Sequence, residues 1–303
     1  MTAIVGILNK RGIAIAADSA STLKNKIINT GNKMLRLSDR APIAVMVVNN
    51  SSLAGIPWEV IIRWYRKESG QEEFKTMQEY ISSFYAFVQN KVLSRSDIQD
   101  DKTIFHNEAI SYLVYAGYGM NELRPSIQEY EIYGIDHRML LAKKNKRYEV
   151  YSPDKEVMIY SEGQPDIVKA YIEGVIGKRE ESIVDSQVEI LKDCMMGVFY
   201  EPVFSLNEEK LTETFKNVIE RCKKESEEDW LKAIKKYSLQ EMASLAENLI
   251  KATELHKKIA DLEEQVGGLI DLAVITREDG FQWLNRKSWY EPSRGGQYGK
   301  FGI

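Results

Sequence analysis

The sequence predicts an α+β fold in which strands near both ends of the chain pair and bracket a helical middle. Three observations carry this. The first fifty residues hold several short, β-branched apolar runs separated by turn residues. From Trp58 the apolar residues switch to helical spacing, and a long helical stretch opens again at Pro165. Between Leu269 and Leu284 two strand-like runs return around the turn Arg277-Glu278-Asp279-Gly280. No internal repeat or Pro/Gly linker divides the chain.

In order, Thr2 to Leu8 and Ile13 to Ala17 read as a hairpin closed by Asn9-Lys10-Arg11-Gly12. Met34 to Leu37 and Ile43 to Val48 are two further strands, too short for independent helices. Trp58, Ile61, Ile62 and Tyr65 share one helix face, packed on a sheet. A second helix from Met77 to about Leu93 carries the stripe Ile81, Phe84, Tyr85 and Val88. Strands follow at Ala109 to Tyr118, Glu129 to Tyr133, Arg138 to Ala142, Tyr148 to Tyr151 and Val157 to Tyr160. Ser205 with Glu208, and Ser238 with Glu241, match capping boxes that start helices. The second of these helices runs to about Gln265 and is stopped by Gly267-Gly268.

Composition narrows the function. The 303 residues carry 41 basic against 45 acidic side chains, a net charge of −4, which leaves no basic excess to neutralise nucleic-acid phosphates. No apolar run approaches the ~18–20 residues of a membrane span. Asn9, Lys10 and Arg11 interrupt the first apolar run too early for a signal peptide, so a cytoplasmic protein is expected. His106, His137 and His256 are too scattered for a metal motif, and neither metal nor cofactor is expected. Cys194 and Cys222 fall in helical stretches and read as buried apolar residues. Gly117-Tyr118-Gly119 lacks the third glycine of a dinucleotide loop and reads as a strand end and turn.

The chemistry concentrates at the start. Initiator methionine is normally removed ahead of a small residue, so the mature chain is expected to begin with Thr2. An N-terminal threonine places a nucleophilic hydroxyl and an α-amine of pKa about 7.7–8.0 on one residue. Asp18 closes the apolar strand Ile13 to Ala17, on the face shared by Ala14 and Ala16. A carboxylate there calls for a positive or hydrogen-bond-donating partner, and Lys33, just before the third strand, can supply it. A lysine near the hydroxyl lowers its effective pKa, and the aspartate fixes the lysine.

Thr2 to Ile7, Gly12 to Ser19 and Lys33 to Leu37 together resemble the opening of proteasome β-type subunits, of the N-terminal nucleophile (Ntn) hydrolase superfamily. Ala16-Ala17-Asp18-Ser19 is the most specific piece, and the sixteen residues from Thr2 to Asp18 agree with the family spacing. With Met1 alone ahead of Thr2, the chain is closest in style to bacterial proteasome-related hydrolases. The resemblance implies a four-layer αββα sandwich of two mainly antiparallel sheets, with Val5, Ile7, Ala14, Ala16, Val45 and Val47 in or near the inter-sheet core. It implies Thr2 as nucleophile, Lys33 as its pKa-lowering neighbour, Asp18 as the anchor and the Asn49 amide in the oxyanion hole. Ser19 and Glu263 are support candidates. One domain over 1–285 is implied, with a helical elongation at about 177–264 and a tail over 286–303.

Two departures stand against that pattern. The family's Gly-Ser-Gly-like turn reads Gly163-Gln164-Pro165 here, and the serine before its Gly-Gly pair reads Val266. Two functions are therefore carried forward. One is an N-terminal threonine hydrolase cleaving amide bonds of peptides or proteins. The other is a catalytically silent proteasome-like assembly subunit. For either, the expected partner is the chain itself in a homo-oligomer such as a ring, and for the hydrolase a separate unfoldase as well. No nucleic acid or membrane is expected.

Overall fold

The short apolar runs settle into two antiparallel sheets stacked face to face. The computed structural model describes residues 2–23, 26–28, 31–94, 104–105, 107–144, 156–174, 183–192, 208–259 and 266–286. One sheet has the order β13 (Met158–Glu162), β1 (Ile4–Asn9), β2 (Gly12–Ala17), β14 (Asp271–Thr276), β15 (Gly280–Asn285). Here the two ends of the chain meet: Ala17 of β2 lies opposite Asp271 of β14. The other sheet runs β12 (Met139–Lys144), β11 (Ser126–Asp136), β10 (Ser111–Gly117), β6 (Ile43–Asn49), β5 (Met34–Arg36), with β9 (Ile104–Phe105) also on β11. Two small hairpins, β3 (Ser21–Leu23) with β4 (Lys26–Ile28) and β7 (Ser52–Leu53) with β8 (Ile56–Pro57), complete the strands described.

Helices cover both outer faces. Trp58, Ile61 and Tyr65 of α1 (Trp58–Ser69) pack with Phe84 of α2 (Met77–Phe87) over the second sheet. α2 runs on into a π-helical turn at Val88–Val92. Over the first sheet lie α3 (Pro165–Glu173) and α6 (Leu239–Ile259). α4 spans 183–192, and α5 (Glu208–Ile234) lies against α3. The result is a four-layer αββα sandwich. The capping box at Ser238 forms: Glu241 N–H donates to Ser238 Oγ at 3.2 Å, and Glu241 Oε2 accepts from Ser238 N–H at 2.7 Å.

The residues expected between the sheets lie elsewhere. Val5, Ile7, Ala14 and Ala16 face α6 and α3, and Val45 and Val47 face α1 and α2. The inter-sheet layer is built by their neighbours, Ile4, Leu8, Ile13, Ile15, Met46 and Val48 among them. Every residue of β1 and β2 is buried, so both faces are apolar and alternation alone cannot say which face meets the other sheet. Between the sheets the Tyr160 hydroxyl donates to Glu129 Oε2 at 2.5 Å.

Other expectations shift locally. The strand expected at Glu129 to Tyr133 extends over Ser126–Asp136 because polar Ser126 and Gln128 are also buried. Cys222 is exposed on α5, whose charged surface is largely solvated, rather than buried. The strand at Tyr148 to Tyr151, the capping residue Ser205, Cys194, His106 and the tail over 287–303 lie outside the described residues. Among the described residues no helix is long and apolar enough to cross a membrane.

Asn9 ties the first hairpin to the helical layer. Its Oδ1 accepts from Arg11 N–H at 2.8 Å, and its Nδ2 donates to the carbonyls of Ile234 and Tyr237, both at 3.0 Å, at the corner between α5 and α6. Asn9→Ala leaves these carbonyls without their side-chain donor. Urea unfolding should show a loss of about 2 kcal/mol. A change within ~0.5 kcal/mol, as at an ordinary surface position, would contradict this role for Asn9.

Candidate active site

Asp18 emerges from β2 with no solvent exposure. A charge so placed must be paired and its lone pairs filled. Four donors do this. Oδ1 accepts from Ala3 N–H at 2.8 Å and from Lys33 Nζ at 2.6 Å. Oδ2 accepts from the N–H groups of Ala20 and Gly267, each at 3.2 Å. One carboxylate oxygen thus joins the main chain next to Thr2 to the lysine, and the other joins the exit of β2 to the segment entering β14.

Lys33 precedes β5, and its carbonyl accepts from Val47 N–H at 2.8 Å, which fixes its main chain against β6. Lys33 and Thr2 are both buried, at 6% and 4% exposure, yet both line a pocket of about 220 Å³. Asn49, at the end of β6, lines the same pocket. Alternation along β6 directs its N–H to the side that Val47 uses to reach Lys33, one pair beyond the start of β5. Its φ of 65° turns the chain out of the strand at that point. The structure therefore brings Thr2, Asp18, Lys33 and Asn49 together.

The remaining candidates are placed differently. Ser19 is buried beside Asp18; its N–H donates to Gly267 O at 3.2 Å and its carbonyl accepts from Gly31 N–H at 3.2 Å. Among the described residues its hydroxyl has no hydrogen-bond partner. Val266 is buried in the apolar layer under α6 and α3. Gln164 is the residue before the first turn of α3, with Pro165 at the first helical position. Glu263 lies outside the described residues.

Sequence reasoning missed two features. Gly163 lies directly on Thr2: a Cβ at Gly163 would stand 1.8 Å from the Thr2 carbonyl oxygen, and the residue has φ +85°. The Gly-Gln-Pro sequence marked this place, but only as a missing serine. Part of the pocket wall was also unseen. It is formed by Asn32, Trp58 and Glu59, with Asn32 Nδ2 donating to Glu59 Oε1 at 2.7 Å. A contact between a loop and the first turn of α1 carries no signal in sequence spacing.

Among solved structures, the chain is similar to the Anbu (Gly-1) mutant from Hyphomicrobium sp. strain MC1, at 13% sequence identity and a TM-score of 0.44, with 95% of this chain and 86% of that chain covered. No family model and no curated protein matches the chain.

Gly163 and Gly174 both have left-handed backbones, at φ +85° and +77°, but only Gly163 has an atom where a Cβ would stand. Gly174→Ala should cost about 1 kcal/mol for the backbone alone. Gly163→Ala should cost at least twice that, because the Thr2 carbonyl or the start of α3 must move. Thermal unfolding of the two variants gives the comparison, and equal losses would mean that Gly163 does not hold Thr2.

Proposed function

We propose that the chain is an N-terminal threonine hydrolase that cleaves amide bonds, with peptides as the substrate class. One observation carries this reading. A single buried oxygen, Asp18 Oδ1, binds both the amide that follows Thr2 and the Lys33 ammonium, and both Thr2 and Lys33 open onto one pocket. A surface lysine or a loop-capping aspartate has no need of that arrangement.

In the proposed reaction Met1 has been removed, and the free α-amine of Thr2 takes the proton of its own hydroxyl. Lys33 favours the anionic oxygen by its charge, and Asp18 keeps that charge in place. Thr2 Oγ bonds to the substrate carbonyl carbon, and the tetrahedral oxyanion accepts a hydrogen bond from Asn49 N–H. The α-ammonium then protonates the departing amine as the C–N bond breaks, leaving an ester on Thr2. Water, deprotonated by the same α-amine, cleaves the ester and restores the hydroxyl. Each step uses a group of this chain or water.

A second reading, the silent assembly subunit, has an observation of its own. Val266 offers an apolar side chain to the helical layer where the family pattern has a hydroxyl, and Gly163-Gln164-Pro165 supplies none.

Labelling by a β-lactone, read by intact mass, separates the two. Wild-type protein with a free Thr2 should take up one equivalent, and Thr2→Ala, still folded, should take up none. Lys33→Ala should slow labelling by at least about a hundredfold. It should also lower stability by about 3–5 kcal/mol, because it leaves a buried carboxylate without its cation. The double variant should label no differently from Thr2→Ala alone, since without the nucleophile the lysine has nothing to act on. Undiminished labelling of Thr2→Ala would refute the threonine mechanism. A wild-type chain with a free Thr2 amine that takes up nothing favours the silent subunit.

A further inference from the structure

The pocket beside Thr2 has two ionic side chains in its wall, Lys33 and Glu59. The Lys33 charge is matched by Asp18 at 2.6 Å. The Glu59 carboxylate is held differently. Asn32 Nδ2 at 2.7 Å and Arg63 Nη2 at 2.8 Å both reach the same oxygen, Oε1. Among the described residues nothing donates to Oε2. Two donors on one oxygen fix the orientation of the group and leave the other oxygen uncommitted. The Arg63 contact joins positions one helical turn apart, with side chains 38% and 32% exposed. Such a pair is weak and screened by salt, so it does little to cancel the carboxylate's charge.

The rest of the wall suits a long, cation-tipped side chain. Trp58, Val47 and Pro57 offer apolar surface to a methylene stem, as amphipathic side chains need. The volume of about 220 Å³ equals the liquid share of several waters at ~30 Å³ each, room for an extended side chain.

We propose that this pocket receives a lysine or arginine side chain of the substrate, and that Glu59 Oε2 accepts a hydrogen bond from its charged tip. The proposal rests on the hydrolase reading and names the substrate class of that site. An acidic side chain would set a second carboxylate against Glu59. An apolar one would fill the stem surface but strip water from Oε2 without replacing its hydrogen bond. The expected order is therefore basic, then apolar, then acidic.

Three acetylated tripeptide epoxyketones, alike except for arginine, leucine or glutamate next to the reactive group, test this. Labelling rates of the mature protein are read by intact mass. The arginine probe should react about tenfold faster than the leucine probe, the discrimination of one charge-assisted hydrogen bond, and the glutamate probe slowest. Glu59→Gln keeps an acceptor for Asn32 and should remove most of the arginine preference. Arg63→Gln removes a weakly bound cation from the same carboxylate and should leave the arginine preference at least as large, which provides a second variant if Glu59→Gln melts early. Leucine labelling as fast as arginine in the wild type, or an undiminished preference in Glu59→Gln, overturns the assignment of Glu59 while leaving Thr2 as nucleophile. No labelling by any probe, with a free Thr2 amine, overturns the hydrolase reading and this inference with it.

Discussion

The Asp18 carboxylate has no solvent exposure, and its four hydrogen bonds come from four separate stretches of chain, at Ala3, Ala20, Lys33 and Gly267. Placing an ion there costs several kcal/mol of hydration, which is offset only when every lone pair finds a donor. The fold meets that demand through its topology. The β1–β2 hairpin presents the Ala3 amide. The pairing of β2 with β14 brings Gly267 alongside, and β5 delivers Lys33 from the other sheet. The same carboxylate thus joins two sheets, both ends of the chain and the residue that follows Thr2. Such a centre specifies one arrangement strongly, because removing any partner leaves a buried charge unmet.

That demand is why the centre was legible in the sequence. An aspartate at the end of five apolar residues calls for a cation or other donors, and Lys33, just before the strand Met34 to Leu37, was within reach. The pairing of the chain ends was also readable, since both carry short β-branched runs bounded by turns. The orientation of those strands was not. Ile4 and Val5, or Met46 and Val47, are equally apolar because each sheet is covered on both faces, by the other sheet and by helices. Alternation marks two classes of residue and cannot say which class faces inward. Cys222 failed for a different reason: free cysteine is by default a buried apolar residue, and that default outweighed the charged, solvated stretch of α5 in which it stands.

Contacts made by tertiary packing escaped altogether. Gly163 matters because its missing Cβ leaves room for the Thr2 carbonyl, a distance set by how β13 lies on β1 and by where α3 starts. The bond from Asn32 to Glu59 depends on where α1 begins after the β7–β8 hairpin. Together these contacts give the pocket two chemically distinct sides. One is the balanced Asp18–Lys33 pair beside Thr2. The other is the Glu59 carboxylate, with one oxygen held by Asn32 and Arg63 and, among the described residues, no donor on the other. In the proposed enzyme the first side belongs to bond cleavage and the second to choice of substrate.

The central claim is that the hydroxyl and the α-amine of Thr2 act on one substrate carbonyl, with Lys33 held beside them by Asp18. A peptide epoxyketone tests it most directly, because complete reaction uses both groups of one residue: the hydroxyl adds to the ketone and the amine opens the epoxide. Intact mass and peptide mapping of the treated mature protein should show the whole probe added once, with both new bonds on Thr2. An adduct on any other residue, or none on a chain whose Thr2 amine is free, would contradict the account.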